Sequence, residues 1–173
     1  MRVGPAEATL ASYRERKEMF ETIVWATDGS ELADKALPFV TELARVHSSR
    51  IVAVHANELL RGRYGGAPML ADESDIREKI EGQVAALQAD GIAVELKVTS
   101  GAHDIPELIA DAATEEQADL IVLTTHGHGG LKSAVLGSVA RSLLHMASCP
   151  VLAIPPGRIA PATAGGGTKA IAA

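Results

Sequence analysis

The sequence predicts an α/β fold, a doubly wound five-stranded parallel sheet with helices on both faces, and three observations carry that prediction. Short β-branched apolar runs alternate strictly with segments of helical periodicity. Two of those runs, Ile51 to Val54 and Leu120 to Leu123, are apolar without a break. Alternation builds βαβ crossovers, and a strand that is apolar on both faces belongs inside a sheet covered on both sides. The third observation is size: 173 residues with 47% apolar content can bury one good core and are short for two α/β domains.

The elements follow in order. TIVWA (22–26) reads as the first strand. After Asp28-Gly29-Ser30-Glu31, the residues Leu32, Ala36, Phe39 or Val40, and Leu43 keep helical spacing, with Pro38 expected to kink or crowd that helix. RIVAVHA (50–56) is the second strand, and RGRYGGAPMLA (61–71) a long loop on the ligand side, placed to act as a lid. Ile76, Ile80, Val84 and Leu87 mark a second helix stopped by Gly91. IAVELKV (92–98) is the third strand. Ile105, Leu108, Ile109 and Ala112 mark a third helix, with Asp104 as N-cap and Pro106 in its first turn. DLIVLTT (119–125) is the fourth strand. Val139, Leu143 and Met146 mark a last helix entered through Gly137-Ser138, and PVLAI (150–154) closes the series. One domain over 21–156 is expected, preceded by a helical extension over 1–20 and followed by a disordered Gly/Ala-rich tail over 157–173.

Charge and composition exclude several classes of function. A net charge of −6 and the absence of a basic run argue against nucleic acid, whose phosphates need clustered Lys and Arg. A single cysteine, Cys149, excludes an intramolecular disulfide and fits a reducing compartment. No apolar stretch reaches the roughly 18 residues of a membrane span, and the N-terminal residues lack the apolar core of a secretory signal. No membrane association is expected, and the cytoplasm is the expected setting.

In such sheets ligands sit beyond the carboxyl ends of the strands, where the strand order reverses. Attention therefore falls on Thr27-Asp28-Gly29-Ser30 after strand one and on the loop from Thr125 to Gly137 after strand four. Gly127, Gly129 and Gly130 let successive backbone N–H groups point into one concavity, and Gly137-Ser138 opens a helix whose N-terminus favours an anion. A phosphate is the anion these features suit, with the Ser138 hydroxyl as a further donor. Neither standard phosphate loop is present. Lys132-Ser133 follows Leu131 where a Walker A loop requires glycine, and strand one is followed only by Gly29.

Asp28 at the end of strand one, THG followed by nine residues and GSVA after strand four, and CPVLAIP at the last strand together resemble the universal stress protein family over 22–156. The family's ATP-binding members carry Gly-x2-Gly-x9-Gly-Ser/Thr. Gly127, Gly137 and Ser138 match it, whereas Thr124 stands at the first glycine and adds a Cβ where backbone approaches the sugar. The resemblance implies the strand order 3-2-1-4-5 and a cleft for an adenine nucleotide, ATP, with Mg2+ held through its phosphates. It implies Asp28 beside ribose and adenine, with Ala26 and Thr27 leading into it. His55 and Ala56 would meet the adenine edge through backbone groups. Thr124, His126, Gly127, His128, Gly137, Ser138 and Val139 would lie along the nucleotide, the last three and Gly127 giving donors to phosphate. A homodimer pairing its last strands, Pro150 to Ile154, is also implied, and an exposed apolar edge needs some such cover.

Plainer readings stand beside these. Asp28-Gly29-Ser30-Glu31 has the spacing of a capping box, so Asp28 is also a candidate helix cap. His126 and His128 form a two-histidine pair without a third ligand fixed by spacing, so no protein-held metal is expected. Cys149 reads as a small packed hydrophobe. Three functions remain open: a stress-response regulatory protein that binds ATP, a dimeric interaction module of the same fold without nucleotide, and a slow ATPase. Hydrolysis needs a group that positions water, and no loop carboxylate beyond Asp28 is evidently placed for it, so no catalytic residue is assigned.

Overall fold

The computed structural model describes residues 19–57, 59–60, 69–70, 73–126, 136–155 and 157. The expected extension over 1–20 and tail over 157–173 therefore lie outside the described residues, except Met19, Phe20 and Gly157. The described elements are β1 (Thr22–Ala26), a 3-10 turn (Ala33–Ala36), α1 (Leu37–His47), β2 (Arg50–Ala56), β3 (Leu59–Leu60), β4 (Met69–Leu70), α2 (Ser74–Ala89), β5 (Val94–Thr99), α3 (Ile105–Glu115), β6 (Leu120–Thr124), α4 (Ser138–Met146) and β7 (Val151–Ile154).

Five strands form one parallel sheet in the order β5-β2-β1-β6-β7. Numbering those five alone along the chain gives 3-2-1-4-5, the order the family resemblance implies. β3 and β4 form a separate antiparallel ladder, Leu59 opposite Leu70 and Leu60 opposite Met69. That ladder corrects the expectation of an unbroken loop over 61–71; residues 61–68 and 71 lie outside the described residues.

Alternation of side chains along each strand divides the core in two. Ile23 and Trp25 of β1, Ile51 and Ala53 of β2 and Leu120 and Val122 of β6 face α1 and α2, meeting Val40, Ala44, Ile80, Val84 and Leu87. Val24, Val52, Val54, Ile121 and Leu123 face the other way, onto Ile109, Ala112, Ala113, Ala140 and Leu143 of α3 and α4. β1 and β6 are buried along their whole length, which is why their sequences are apolar apart from a threonine at one end of each, Thr22 and Thr124. Each fully buried side chain of this size, Ile121 or Leu143 for example, contributes about 1.5–3 kcal/mol.

Local signals set the helix ends. Pro38 does not kink α1: a 3-10 turn precedes it, and the proline sits in the first turn of the α-helix, where a missing N–H is harmless. Asp104 and Glu107 form a reciprocal capping box on α3. Gly91, at φ +79, turns the chain out of α2. At the edge of the sheet the polar half of β5 is tied down by charge: Lys97 bonds Glu115 and Glu116, and Arg50 bonds Glu95 and Glu116. These bonds hold the Glu116 carboxyl below its ordinary value, Lys97 first and Arg50 second, and Glu115 then Glu116 raise Lys97.

Candidate functional site

The strand order reverses between β1 and β6, and a cleft of about 510 Å3, its open mouth included, lies at their carboxyl ends. Its floor is Ala26, Leu123 and Thr124 at the strand ends. Ile105 and Ile109 of α3, Val139 of α4 and Ala56 of β2 give apolar walls, and Thr27, Asp28 and His126 bring polar groups to it. Small-molecule sites have this mixture: mostly apolar lining with a few placed polar groups.

The β1 wall is ordered by short-range bonds and then fastened from behind. Thr27 Oγ1 accepts the Gly29 N–H at 3.2 Å, and Asp28 Oδ1 accepts the Ser30 N–H at 3.0 Å. Gly29 has φ +70, and a Cβ there would stand 2.6 Å from Cγ2 of Ile76, so this turn needs glycine both for its backbone and for the approach of α2. Lys79 of α2 donates to the Gly29 carbonyl at 2.6 Å and to Asp34 at 2.7 Å. Ser30 Oγ accepts the Ala33 N–H, the first of the 3-10 turn, at 3.1 Å. The Asp28 carboxylate shapes the turn two residues on and lines the cleft.

The β6 wall closes on itself. Thr124 Oγ1 donates to the His126 carbonyl at 2.7 Å, and Thr125 Oγ1 lies 2.9 Å from His126 Nδ1. The Gly137 N–H donates to the Thr125 carbonyl at 2.8 Å, which pins the two ends of the loop together. A Cβ on Gly137 would stand 2.6 Å from that same oxygen. This corrects one expected role, because the Gly137 N–H is already spent within the chain. The N–H groups of Ser138, Val139 and Ala140, at the start of α4, have no acceptor among the described residues, and a helix N-terminus of this kind favours an anion.

Of the expected site residues, Ala26, Thr27, Asp28, Ala56, Thr124, His126 and Val139 line the cleft. Gly137 and Ser138 stand behind its β6 side, at the neck of the loop and the entry to α4. Gly127 and His128 lie outside the described residues. His55 is not among the residues that line the cleft: alternation along β2 gives Ala56 to the cleft and sends the buried His55 ring toward α2, where it bonds the Thr27 carbonyl and Glu73, leaving only its backbone groups for the role expected of it. The residues missed were Ile105, Ile109 and Ala33. Both isoleucines had been read only as the buried stripe of α3, and nothing in that stripe separates a cleft wall from a core contact.

Cys149 is half-buried against the α3–α4 side of the core, and burial followed by the nearby Asp119 charge pushes its thiol upward. Among the described residues no helix is long and apolar enough to cross a membrane.

Fold and cleft together define an α/β protein with a cleft at the switch point of a parallel sheet. The chain belongs to the universal stress protein family, whose sequence profile matches residues 19–155. It is 35% identical over 140 residues to a universal stress protein of Thermus aquaticus, covering 79% of this chain and 99% of that one. A universal stress protein family structure from Burkholderia pseudomallei is 31% identical with a TM-score of 0.58, over 79% of this chain and 97% of its own. The universal stress protein from Archaeoglobus fulgidus solved in complex with dAMP is 28% identical with a TM-score of 0.58, over 79% and 98%.

Proposed function

We propose that this protein is a stress-response regulator that binds an adenine nucleotide, ATP, in the cleft between the β1 and β6 loops. The observation that carries the reading is one cleft that brings an apolar lining and a carboxylate together beside the start of α4. The apolar lining of Ile105, Ile109 and Ala56 suits a base, the Asp28 carboxylate suits ribose hydroxyls, and the first N–H groups of α4, which have no acceptor among the described residues, suit phosphate. The dAMP complex of the Archaeoglobus fulgidus relative supports an adenine nucleotide as the ligand class. Mg2+ enters this reading through phosphate oxygens, neutralising charge that the acidic chain does not. Pairing of β7 edges into a homodimer is part of the proposal, supported by Leu152, an apolar side chain exposed on that edge. Turnover of ATP is at most slow in this reading, because holding phosphate does not position a water.

The experiment is to denature purified protein and analyse the released small molecules by mass spectrometry, then to titrate the emptied protein with Mg·ATP. Asp28→Asn keeps an acceptor for the Ser30 N–H but removes the charge, so the fold stays and affinity drops about tenfold, as loss of a charge-assisted hydrogen bond would give. A wild type that releases no nucleotide and binds none in titration contradicts the proposal. It would favour the second reading, an interaction module without nucleotide. The observation behind that reading is Thr124, whose side chain stands in the cleft floor at the position of the family motif's first glycine.

A further inference from the structure

The parallel ladder between β1 and β6 stops at Trp25 opposite Val122, whereas β1 runs on beside β2 to Ala26 and β6 runs on beside β7 to Thr124. The two central strands part beyond that point. Ala26 and Thr27 form one lip of the gap, Leu123 and Thr124 the other, and all four line the cleft. Thr124 is the polar side chain that β6 itself brings to the site, and it is only 8% exposed.

A hydrogen count fixes what Thr124 can offer. A hydroxyl has one hydrogen and two lone pairs. The hydrogen goes to the His126 carbonyl at 2.7 Å, and because a carbonyl has none to give, the direction of this bond is settled. Thr124 and His126 both line the cleft, so the bond lies in its wall. Toward a ligand, Oγ1 keeps lone pairs only. It accepts from a donor and gains nothing from a phosphate oxygen, which is itself an acceptor at neutral pH. The donors of a nucleotide are on its sugar and its base.

Position across the sheet decides between the two. In the order β2-β1-β6, Ala56 ends β2, Asp28 follows β1 and Thr124 ends β6, and the chain beyond Thr124 returns into α4. With the base against Ala56 and phosphate at the start of α4, the sugar spans the gap between β1 and β6.

We infer that Thr124 selects nucleotides with a complete ribose by accepting a hydrogen bond from one of the two sugar hydroxyls. The inference rests on the cleft reading above and names the ligand class within it. A deoxyribose analogue leaves the Thr124 lone pair facing no donor, in a place where little water reaches it, and a site built to bond a hydroxyl rejects the analogue that lacks it. Asp28, across the gap, also meets the sugar in that reading, so the share of Thr124 is isolated by comparing proteins that differ there alone.

Titration with Mg·ATP and with its 2′-deoxy and 3′-deoxy analogues gives a ratio of affinities within each protein, from which any change in the folded fraction cancels. Thr124→Val keeps the shape of the side chain without the hydroxyl. It should lower the discrimination against one of the analogues by about threefold to tenfold relative to the wild type, the share of one hydrogen bond to an uncharged acceptor. Thr124→Gly, which carries the family motif's own residue, should lower it likewise, and Thr124→Ser, which keeps the hydroxyl, should leave it in place. Discrimination that is the same in the wild type, Thr124→Val and Thr124→Gly, or that is absent from the wild type, overturns the inference and leaves nucleotide binding standing. A wild type that binds none of the three ligands overturns the nucleotide reading and this inference with it.

Discussion

The two walls of the cleft are made rigid in opposite ways. The β1 turn is fastened from outside: α2 reaches it through His55–Glu73 at the Thr27 carbonyl and through Lys79 at the Gly29 carbonyl. The β6 side is fastened at its own loop neck, by Thr124 on the His126 carbonyl and by Gly137 on the Thr125 carbonyl, and to β7, whose Ile154 carbonyl accepts the Thr125 N–H. One wall is therefore tied to α2, and the other to its loop neck and the neighbouring strand.

The two glycines test this difference most sharply. An added Cβ would stand 2.6 Å from a neighbour at both positions, but at Gly137 the neighbour is the Thr125 backbone oxygen and at Gly29 it is the end of the Ile76 side chain. Gly137→Ala should force the neck of the loop open and weaken Mg·ATP binding by about tenfold or more, as misplacing phosphate donors would. Its unfolding midpoint should move little, because the neck is not part of the core. Gly29→Ala should do the reverse: with φ +70 the alanine is strained by about 1–2 kcal/mol, seen as a lowered midpoint in urea, while Ile76 shifts aside. Equal effects of the two substitutions on binding and stability would remove the distinction between the walls.

A smaller effect is expected from Lys79→Met, which keeps the aliphatic stem and deletes the donor to Gly29 and Asp34. Half-exposed charge contacts of this kind contribute about 0.5–1 kcal/mol, so affinity should fall only a few-fold, measured by calorimetric titration. A larger loss than that of Gly137→Ala would mean that the outer fastening, not the loop, limits binding.

The smallest effect lies at the far edge and serves as a control. Glu116 is held below its ordinary value of 4.5 by Lys97 and Arg50, so it favours the folded state most when the pH is above that ordinary value. This share of stability is lost as the pH falls through the lowered folded value. Urea midpoints measured from about pH 6 down to about pH 3 should drop less steeply in Glu116→Gln than in the wild type, and Mg·ATP affinity at neutral pH should not change.

How much was legible in the sequence follows the same division between local and distant causes. The five strands were readable because a sheet covered on both faces needs apolar residues at every interior position, as in Ile51 to Val54. Asp104 with Glu107 announced the start of α3 because both partners lie within one turn. Asp28-Gly29-Ser30-Glu31 has capping spacing, but the 3-10 turn at Ala33 begins too late for Asp28 to meet its first N–H, and Ser30 Oγ accepts it instead. The partner of His55 is 18 residues away, and the oxygen that Gly137 meets belongs to Thr125, across a loop. No spacing rule reaches such pairs, because the tertiary packing of α2 and the closing of the loop create them. The β3–β4 ladder was hidden for another reason: two residues per strand carry no periodicity.

The most direct test of the account is to map Mg·ATP binding on the protein's backbone amides by NMR. The account predicts saturable shifts on both walls together, at Asp28 and Ala56 on one side and at Thr124, Ser138 and Val139 on the other, with Glu95 and Lys97 of the β5 edge unmoved. Shifts confined to one wall or to the edges of the sheet, or none at millimolar nucleotide, would contradict it.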